Sequence, residues 1–190
     1  MLDRVLRRCL RLLWRLVWRG ALGFVVLSVA LVLLFRFVPP PGSMVMVERK
    51  VQSWINSEPI DIQRQWRSWE NLSSNAKLAV ISAAVQRFPP HRGFDFVEMR
   101  RAWEASRDGE RLRGASTLSQ QTAKNVFLWS GRSWVRKGLE AWFTLLIETL
   151  WGKQRILEVY LNVAEWDTGV FGLEAAANHY FGASGRALTE

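Results

Sequence analysis

The stretch Gly114–Asn125, which reads GASTLSQQTAKN, contains the residues whose types and spacing best suit a chemical site. Ser116 or Thr117 can cap a helix N-terminus, because a hydroxyl oxygen satisfies backbone N–H groups that lack a partner inside the helix. Three polar side chains then follow at spacings that predict a shared helix face: Gln120, Gln121 and Lys124. Two amides and a cation at a helix N-terminus suit an anionic ligand rich in hydroxyls, such as a sugar phosphate. An ordinary capped surface helix explains the same spacing, and spacing alone favours that simpler interpretation.

Helices are also predicted around this stretch, from apolar residues that recur at three- and four-residue spacing. Ser73 or Ser74 is expected to begin a helix that runs to about Arg87. Its buried side is expected to consist of Leu78, Ile81, Val85 and Phe88. Further helices are predicted over Trp134–Trp151, Lys153–Asn162 and Glu174–Phe181. Alternation of period two is scarce, so we expect a mainly α-helical fold.

An uninterrupted apolar run, Ala21–Phe35, predicts a membrane anchor near the N-terminus. With its neighbours, the segment 20–38 reaches the roughly 17–25 residues that a helix needs to span a bilayer. Seven arginines and one acid lie within residues 1–36, and most of these arginines precede the run. The positive-inside rule therefore predicts a cytoplasmic N-terminus. A cleaved signal peptide is the competing interpretation, but Arg36–Pro39 offers no small residues for cleavage, which favours an uncleaved anchor.

The charge is concentrated at the same end of the chain. Of the net charge of +9, residues 1–36 contribute +6 and the remainder only +3. Nucleic-acid binding requires lysines and arginines clustered on the folded part, so no nucleic-acid partner is expected. The single cysteine, Cys9, excludes an intramolecular disulfide. The two histidines, His91 and His179, have no acidic cluster at ligand spacing nearby, which makes a zinc site an unfavourable interpretation.

The stretch Gly114–Asn125 resembles the signature of the glycosyltransferase domain shared by class A penicillin-binding proteins and monofunctional peptidoglycan transglycosylases. Four more blocks match that family in its order and spacing: Phe88–Gly93, Arg136–Glu140, Lys153–Asn162 and Gly172–Gly182. The resemblance implies a lysozyme-like helical fold and an enzyme that polymerises lipid-linked disaccharide-peptide precursor into glycan strands. It implies a single-pass protein of the bacterial inner membrane, with its catalytic domain in the periplasm and other cell-wall synthesis or division proteins as candidate partners.

Four regions are therefore expected along the chain. They are a cytoplasmic basic segment (1–19), a transmembrane anchor (20–38), a linker and membrane-proximal segment (39–71), and a C-terminally incomplete glycosyltransferase domain (72–190). Within the linker, Met44–Ile55 is expected to form a strand or a short helix. Trp66 and Trp69 alternate with arginines, which suits either lipid headgroups or the edge of a core. The charged segment Arg100–Arg113 has few apolar positions and is expected to be mobile.

The family's general base is missing from the position where the resemblance places it. In the family, a Glu takes the proton from the acceptor's 4-hydroxyl, an Asp follows it, and a Phe-x-x-His-x-Gly motif comes shortly afterwards. This chain keeps that motif at residues 88–93 but has Ala84 and Val85 at the acidic positions. No carboxylate lies between Glu70 and Asp95. We therefore expect the chain to be inactive or impaired in polymerisation.

Suitable residues fill the other positions that the family implies. Lys124 and Arg132 are expected to hold the donor pyrophosphate, and Arg136 and Lys137 to add to the same positive field. Glu140 matches the family's second glutamate, which orders the site or binds cations; an i,i+4 ion pair with Arg136 is the structural alternative. The sugar and phosphate groups are expected to contact Ser116, Thr117, Gln120, Gln121 and Asn125. No cofactor is certain, although a divalent cation such as Mg²⁺ is a candidate to assist pyrophosphate departure.

Two other functions remain open. The substitution at Ala84 also fits a non-catalytic domain that binds precursor or glycan and recruits other wall-synthesis proteins. A lytic, lysozyme-like enzyme would share a related fold, but its chemistry also needs a catalytic carboxylate. The stretch Gly114–Asn125 favours synthesis over cleavage. Behind the site, helix packing is expected to depend on Tyr160, Asn162, Glu165 and Glu174.

Overall fold

Helices account for most of what the computed structural model describes, namely residues 2–84, 116–131 and 133–187. Within these ranges the helices are α1 (Leu2–Phe37), α2 (Met44–Asn56), α3 (Ser74–Ala84), α4 (Leu118–Phe127), α5 (Trp134–Leu150), α6 (Lys153–Val163) and α7 (Leu173–Phe181). Short 3₁₀ turns cover Trp69–Asn71 and Gly185–Ala187. The prediction of a mainly α-helical fold is confirmed, including the helices expected around residues 134–151, 153–162 and 174–181.

Three very short strands join the linker to the C-terminal part of the chain. They are β1 (Gln63–Arg64), β2 (Glu165–Asp167) and β3 (Val170–Phe171), in the sheet order β1-β3-β2. The pairing of β1 with β3 is parallel and that of β2 with β3 is antiparallel. After β3, Gly172 has a φ of 83°, and a Cβ there would lie 2.9 Å from the carbonyl oxygen of Asn162. Only glycine fits this close approach, and α7 begins at the next residue.

The predicted anchor is part of a longer helix. Within α1, the segment Arg7–Phe37 is long and apolar enough to cross a membrane, and the helix continues through the basic segment to Leu2. The C-terminal half of α1 packs against α5 and the residues that follow it. Trp142 donates its indole N–H to Ser28 Oγ at 3.1 Å, and Trp151 donates to the carbonyl of Val32 at 2.7 Å. The apolar helix is therefore held to the folded domain by side-chain hydrogen bonds as well as by its covalent connection through the linker.

The core surrounds α4, which packs against both α5 and α6. Leu118 and Ala123 of α4 are fully buried, as are Ile147 of α5 and Ile156 of α6. The ring of Phe127 stacks on Phe143 with 4.4 Å between centroids. The sequence therefore places its candidate chemical stretch on a helix that is enclosed by two others. The packed face of α4 consists of Leu118, Thr122, Ala123 and Val126, which are buried.

The structure of the linker decides two questions that the sequence left open: the conformation of Met44–Ile55 and the surroundings of Trp66 and Trp69. Met44–Asn56 is a helix, and Ser43 caps it by accepting the N–H of Met46 at 3.2 Å. Trp66 and Trp69 are half-buried against the main core, which is the core-edge interpretation. The guanidinium of Arg155 lies 5.4 Å from the Trp66 ring centroid and the ammonium of Lys77 4.3 Å from that of Trp69. These cations cover the outer faces of both rings.

The expected buried side of α3 is wrong at Leu78, whose side chain is 63% exposed. The side that meets the core instead carries Ala76, Val80 and Ile81. Apolar residues occur on nearly every side of this short helix, so periodicity could not select one stripe. Ser73 caps the helix, since its Oγ accepts the N–H of Ala76 at 3.4 Å. The expectations for Val85, Phe88 and Arg100–Arg113 concern positions outside the described residues.

Candidate active site

The N-terminus of α4 is fixed by a capping box. Thr117 Oγ1 accepts the N–H of Gln120 at 3.2 Å, and Gln120 Oε1 accepts the N–H of Thr117 at 2.9 Å. Thr117 is thus the N-cap, and both side chains are almost fully buried. Gln120 therefore does not share an open face with Gln121 and Lys124, because its oxygen is bonded to backbone. Its role in the described geometry is to fix where α4 begins.

The open side of α4 carries the remaining polar residues of the stretch. Gln121 donates to the carbonyl of Ser116 at 3.2 Å and accepts from the hydroxyl of Tyr160 at 3.3 Å. Lys124 and Asn125 follow on the same side and are half-buried. No carboxylate of the described residues lies within ion-pair distance of Lys124. Its ammonium therefore leaves a positive charge on this side of the helix.

Glu140 lies at the centre of a buried ion cluster on α5. Arg136 Nη1 donates to Glu140 Oε2 at 2.8 Å, and Lys137 Nζ donates to Glu140 Oε1. The Glu140 side chain is 3% exposed and that of Arg136 is 12% exposed, whereas that of Lys137 is 45% exposed. The ion pair proposed as the structural alternative is thus present, with a second cation added. The three groups together keep a charge of +1, part of which is accessible through Lys137.

Glu148 is a site-supporting residue that the sequence analysis missed. Its carboxylate is 7% exposed, and it accepts from Ser119 Oγ in the first turn of α4 and from Lys153 Nζ at 2.6 Å. One carboxylate therefore connects α4, α5 and the start of α6. The available signal was a single acid inside the apolar run Thr144–Trp151, where an unpaired charge would be costly.

The residues expected behind the site have the predicted packing roles. Asn162 is 1% exposed; its amide accepts the N–H of Arg67 at 2.7 Å and donates to the Arg67 carbonyl at 2.9 Å. Glu165 receives a bidentate contact from Arg49 at 2.8 and 3.0 Å. Burial raises the pKa of Glu174, but hydrogen bonds from Arg67, Ser184 and the backbone N–H of Gly185 outweigh it and hold that pKa below its ordinary value.

Several expected site positions fall at or beyond the edge of the described residues. Ala84, where the family's base is expected, is the last residue of α3 that the structure describes. Val85, His91 and Arg132 lie outside the described residues.

The carboxylates of this site do not fit a resident metal ion. Residues 2–84, 116–131 and 133–187 contain no group of three or more His, Cys, Asp or Glu side chains that could hold one. Both oxygens of Glu140 are already bonded to cations. A magnesium ion would require carboxylate or water oxygens that are not committed in this way.

Comparisons with known proteins identify the family of the chain. The family model described as transglycosylase matches residues 50–190. A biosynthetic peptidoglycan transglycosylase of Chromohalobacter salexigens is 69% identical over 168 residues, which cover 88% of this chain and 72% of the relative. A protein of the same name from Pseudomonas aeruginosa is 61% identical over 180 residues, covering 95% and 78%. One from Pseudomonas fluorescens Pf-5 is 58% identical over 180 residues, covering 95% and 75%. This chain belongs to the transglycosylase family.

Proposed function

We propose that this chain is a membrane-anchored peptidoglycan glycosyltransferase whose polymerising activity is impaired at position 84. The observation that carries the proposal is the capped helix α4, which presents Gln121, Lys124 and Asn125 on one open side of an otherwise buried element. Its relatives are named biosynthetic peptidoglycan transglycosylases. The substrate that suits this chemistry is a lipid-linked disaccharide-peptide with a pyrophosphate leaving group.

The donor half of the reaction requires positive charge at the departing pyrophosphate. Lys124 supplies an ammonium without a carboxylate partner among the described residues, and Arg132 follows eight positions later in the sequence. Lys137 adds the accessible part of the Glu140 cluster. Cations placed before the reaction begins stabilise the charge that accumulates on the leaving group. We assign these residues to donor binding, with Ser116, Gln121 and Asn125 as hydrogen-bonding groups around the sugar and phosphate.

The acceptor half requires a base that this chain lacks at the family position. The acceptor's 4-hydroxyl attacks the anomeric carbon of the donor as its proton passes to the base. The methyl group of Ala84 cannot accept that proton, and a general base contributes on the order of 10²–10⁴ in rate. Glu140 is a poor substitute, because both of its oxygens already accept hydrogen bonds from cations. Donor binding is therefore expected to survive while turnover falls.

The finer localisation is part of the same proposal. The long apolar helix α1 suits a single-pass anchor, and the arginines that precede the apolar run favour a cytoplasmic N-terminus. The domain from α2 onwards would then lie in the periplasm, on the outer side of the inner membrane.

A non-catalytic role is the second candidate, and the pair Ala84 and Val85 is the observation that favours it. Such a domain would bind precursor or glycan and recruit other wall-synthesis or division proteins. Incubation of the full chain with labelled lipid-linked precursor separates the alternatives. Slow formation of glycan polymer supports the impaired enzyme, and binding without turnover supports the second role. Absence of binding, or cleavage of preformed glycan, contradicts both.

A further inference from the structure

The first half of α1 carries its charge on one face. At 3.6 residues per turn, positions 7, 8, 11, 15 and 19 fall within an arc of about 120° around the helix axis. All five positions are arginine and all are exposed. We call them the arginine stripe: Arg7, Arg8, Arg11, Arg15 and Arg19. Among the described residues, no carboxylate forms an ion pair with any member of the stripe.

The rest of the helix surface at this level is apolar and uncovered. Four aliphatic residues opposite the stripe are 55%, 60%, 65% and 57% exposed: Leu10, Leu13, Leu16 and Val17. Trp14, which is 70% exposed, lies at the border with the stripe, and Trp18, which is 62% exposed, lies within its arc. A surface of this composition is unfavourable in water. Something other than solvent must therefore cover it.

The length of α1 places this surface at the edge of the bilayer. The helix has 36 residues, which corresponds to about 54 Å, whereas the hydrocarbon layer is about 30 Å thick. The apolar run Ala21–Phe35, whose second half also packs against α5 and Trp151, is assigned to that layer. Residues 7–19 then reach the headgroup region on its N-terminal side. Tryptophan is enriched at this depth, and arginine is attracted to anionic headgroups there.

We propose that residues 7–19 form an amphipathic arm that lies in the headgroup layer, with its arginine stripe on anionic phospholipids and its leucine face on acyl chains. Helices with one strongly charged face and one apolar face bind in this way. Charge favours lipid over a second copy of the arm, because arms paired through their leucine faces would leave both arginine stripes without counter-charges, which anionic headgroups supply. A change of direction at Gly20 would bring the arm into the plane of the interface. The structure has α1 continuous through Gly20, and the bend would use the weak helix propensity of glycine at that position.

Cys9 allows a direct test, because it is the only cysteine and lies exposed on the apolar side of the arm. The full chain is labelled there with a polarity-sensitive fluorophore. It is then reconstituted into vesicles of phosphatidylcholine, with or without phosphatidylglycerol. We expect a blue shift and protection from an aqueous quencher only with the anionic lipid, and loss of both as salt screens the charges. Equal quenching in both lipids would overturn the proposal, as would self-quenching that reports paired copies.

Two variants then separate the stripe from net charge. The first removes four charges through Arg7→Gln, Arg8→Gln, Arg11→Gln and Arg15→Gln. Since each arginine near an anionic surface is worth roughly fivefold in partition, the loss should be several hundredfold. The second keeps composition and charge but disperses the stripe, through Arg8→Leu, Leu10→Arg, Leu13→Arg and Arg15→Leu. Protection should be lost in both variants; protection that persists in the dispersed variant would show that the stripe is not the binding surface. The test is independent of glycosyltransferase activity.

Discussion

Replacing Glu140 with glutamine tests the buried ion cluster most directly. The substitution keeps the shape of the side chain but removes its charge and one acceptor oxygen. Arg136, whose side chain is 12% exposed and whose Nη1 lies 2.8 Å from Glu140 Oε2, would lose its counter-charge in a nearly dry environment. Lys137 is 45% exposed and can turn towards water instead. The cost in folding stability therefore comes mainly from the lost contact with Arg136.

The size of the effect follows from these exposures. Removing one partner of a buried ion pair costs about 3–5 kcal/mol, whereas an exposed pair is worth about 0–1 kcal/mol. The glutamine oxygen can still accept one hydrogen bond, so we expect the lower end, about 3 kcal/mol. In a domain of this size, 1 kcal/mol corresponds to roughly 2–4 °C in Tm. Glu140→Gln should therefore lower Tm by about 6–12 °C.

Thermal unfolding of the full chain in detergent, followed by circular dichroism, measures this difference. Glu70→Gln is the matched control, because it makes the same change at an exposed carboxylate and should stay within about 0.5 kcal/mol of the parent. Adding Arg136→Met to Glu140→Gln removes the stranded cation and should recover part of the loss. A Tm change equal to that of the control would refute the inference that Glu140 neutralises a buried cation.

Four further outcomes are expected. Ala84→Glu with Val85→Asp should restore glycan synthesis from labelled precursor by on the order of 10²–10⁴ over the parent chain, because it supplies the missing base. Lys124→Ala should weaken binding of the precursor, or of a phosphoglycolipid inhibitor, roughly tenfold or more, since a charge-assisted contact is worth about 1.5–3 kcal/mol. Thr117→Val should lower stability by about 1 kcal/mol in thermal unfolding, because it removes the cap of α4. A reporter fused after Glu190 should be active only outside the cytoplasm.

Each of these outcomes has a result that contradicts it. Polymer formed by the parent chain at the rate of the double variant would show that another group supplies the base. Precursor affinity unchanged in Lys124→Ala, compared with the exposed control Lys50→Ala, would remove Lys124 from the donor site. A fully stable Thr117→Val variant would mean that the capping box does not hold α4. A reporter active in the cytoplasm would reverse the proposed orientation.

Periodicity was sufficient for the helices that meet the core on one side. In α5, apolar residues at three- and four-residue spacing, Phe143, Leu146 and Ile147, form the side that packs. In α3 the same reasoning failed at Leu78, because apolar residues surround that helix and only its neighbours select a face. The strands were not predictable for a different reason. With two or three residues each, they are too short to show alternation. They form because the linker and the segment after α6 lie side by side and pair.

At the candidate site, the sequence pointed to the polar residues of α4 and α5. It did not indicate what each of their side chains contacts. The pattern Thr117-x-x-Gln120 is itself a capping-box signature, and it assigns Gln120 to the backbone rather than to a ligand. The partners of Glu148 lie 29 residues before it, at Ser119, and five residues after it, at Lys153. Spacing along one helix cannot reveal such contacts, because they depend on how three helices meet.

The contacts of α5 explain how the candidate site could be held at a fixed depth relative to a membrane. Near its middle, Trp142 bonds to Ser28 of the anchor helix. Two residues before it, Glu140 holds the ion cluster, and one and a half turns after it, Glu148 binds the first turn of α4. Because α5 makes all three connections, it acts as a rigid link between the anchor helix and α4. The depth of the anchor in the membrane then sets the position of α4. For a lipid-linked substrate, whose pyrophosphate stays at the membrane surface, that relation decides whether Lys124 can reach it. None of these three connections involves position 84, so we expect the proposed donor binding not to depend on a base there.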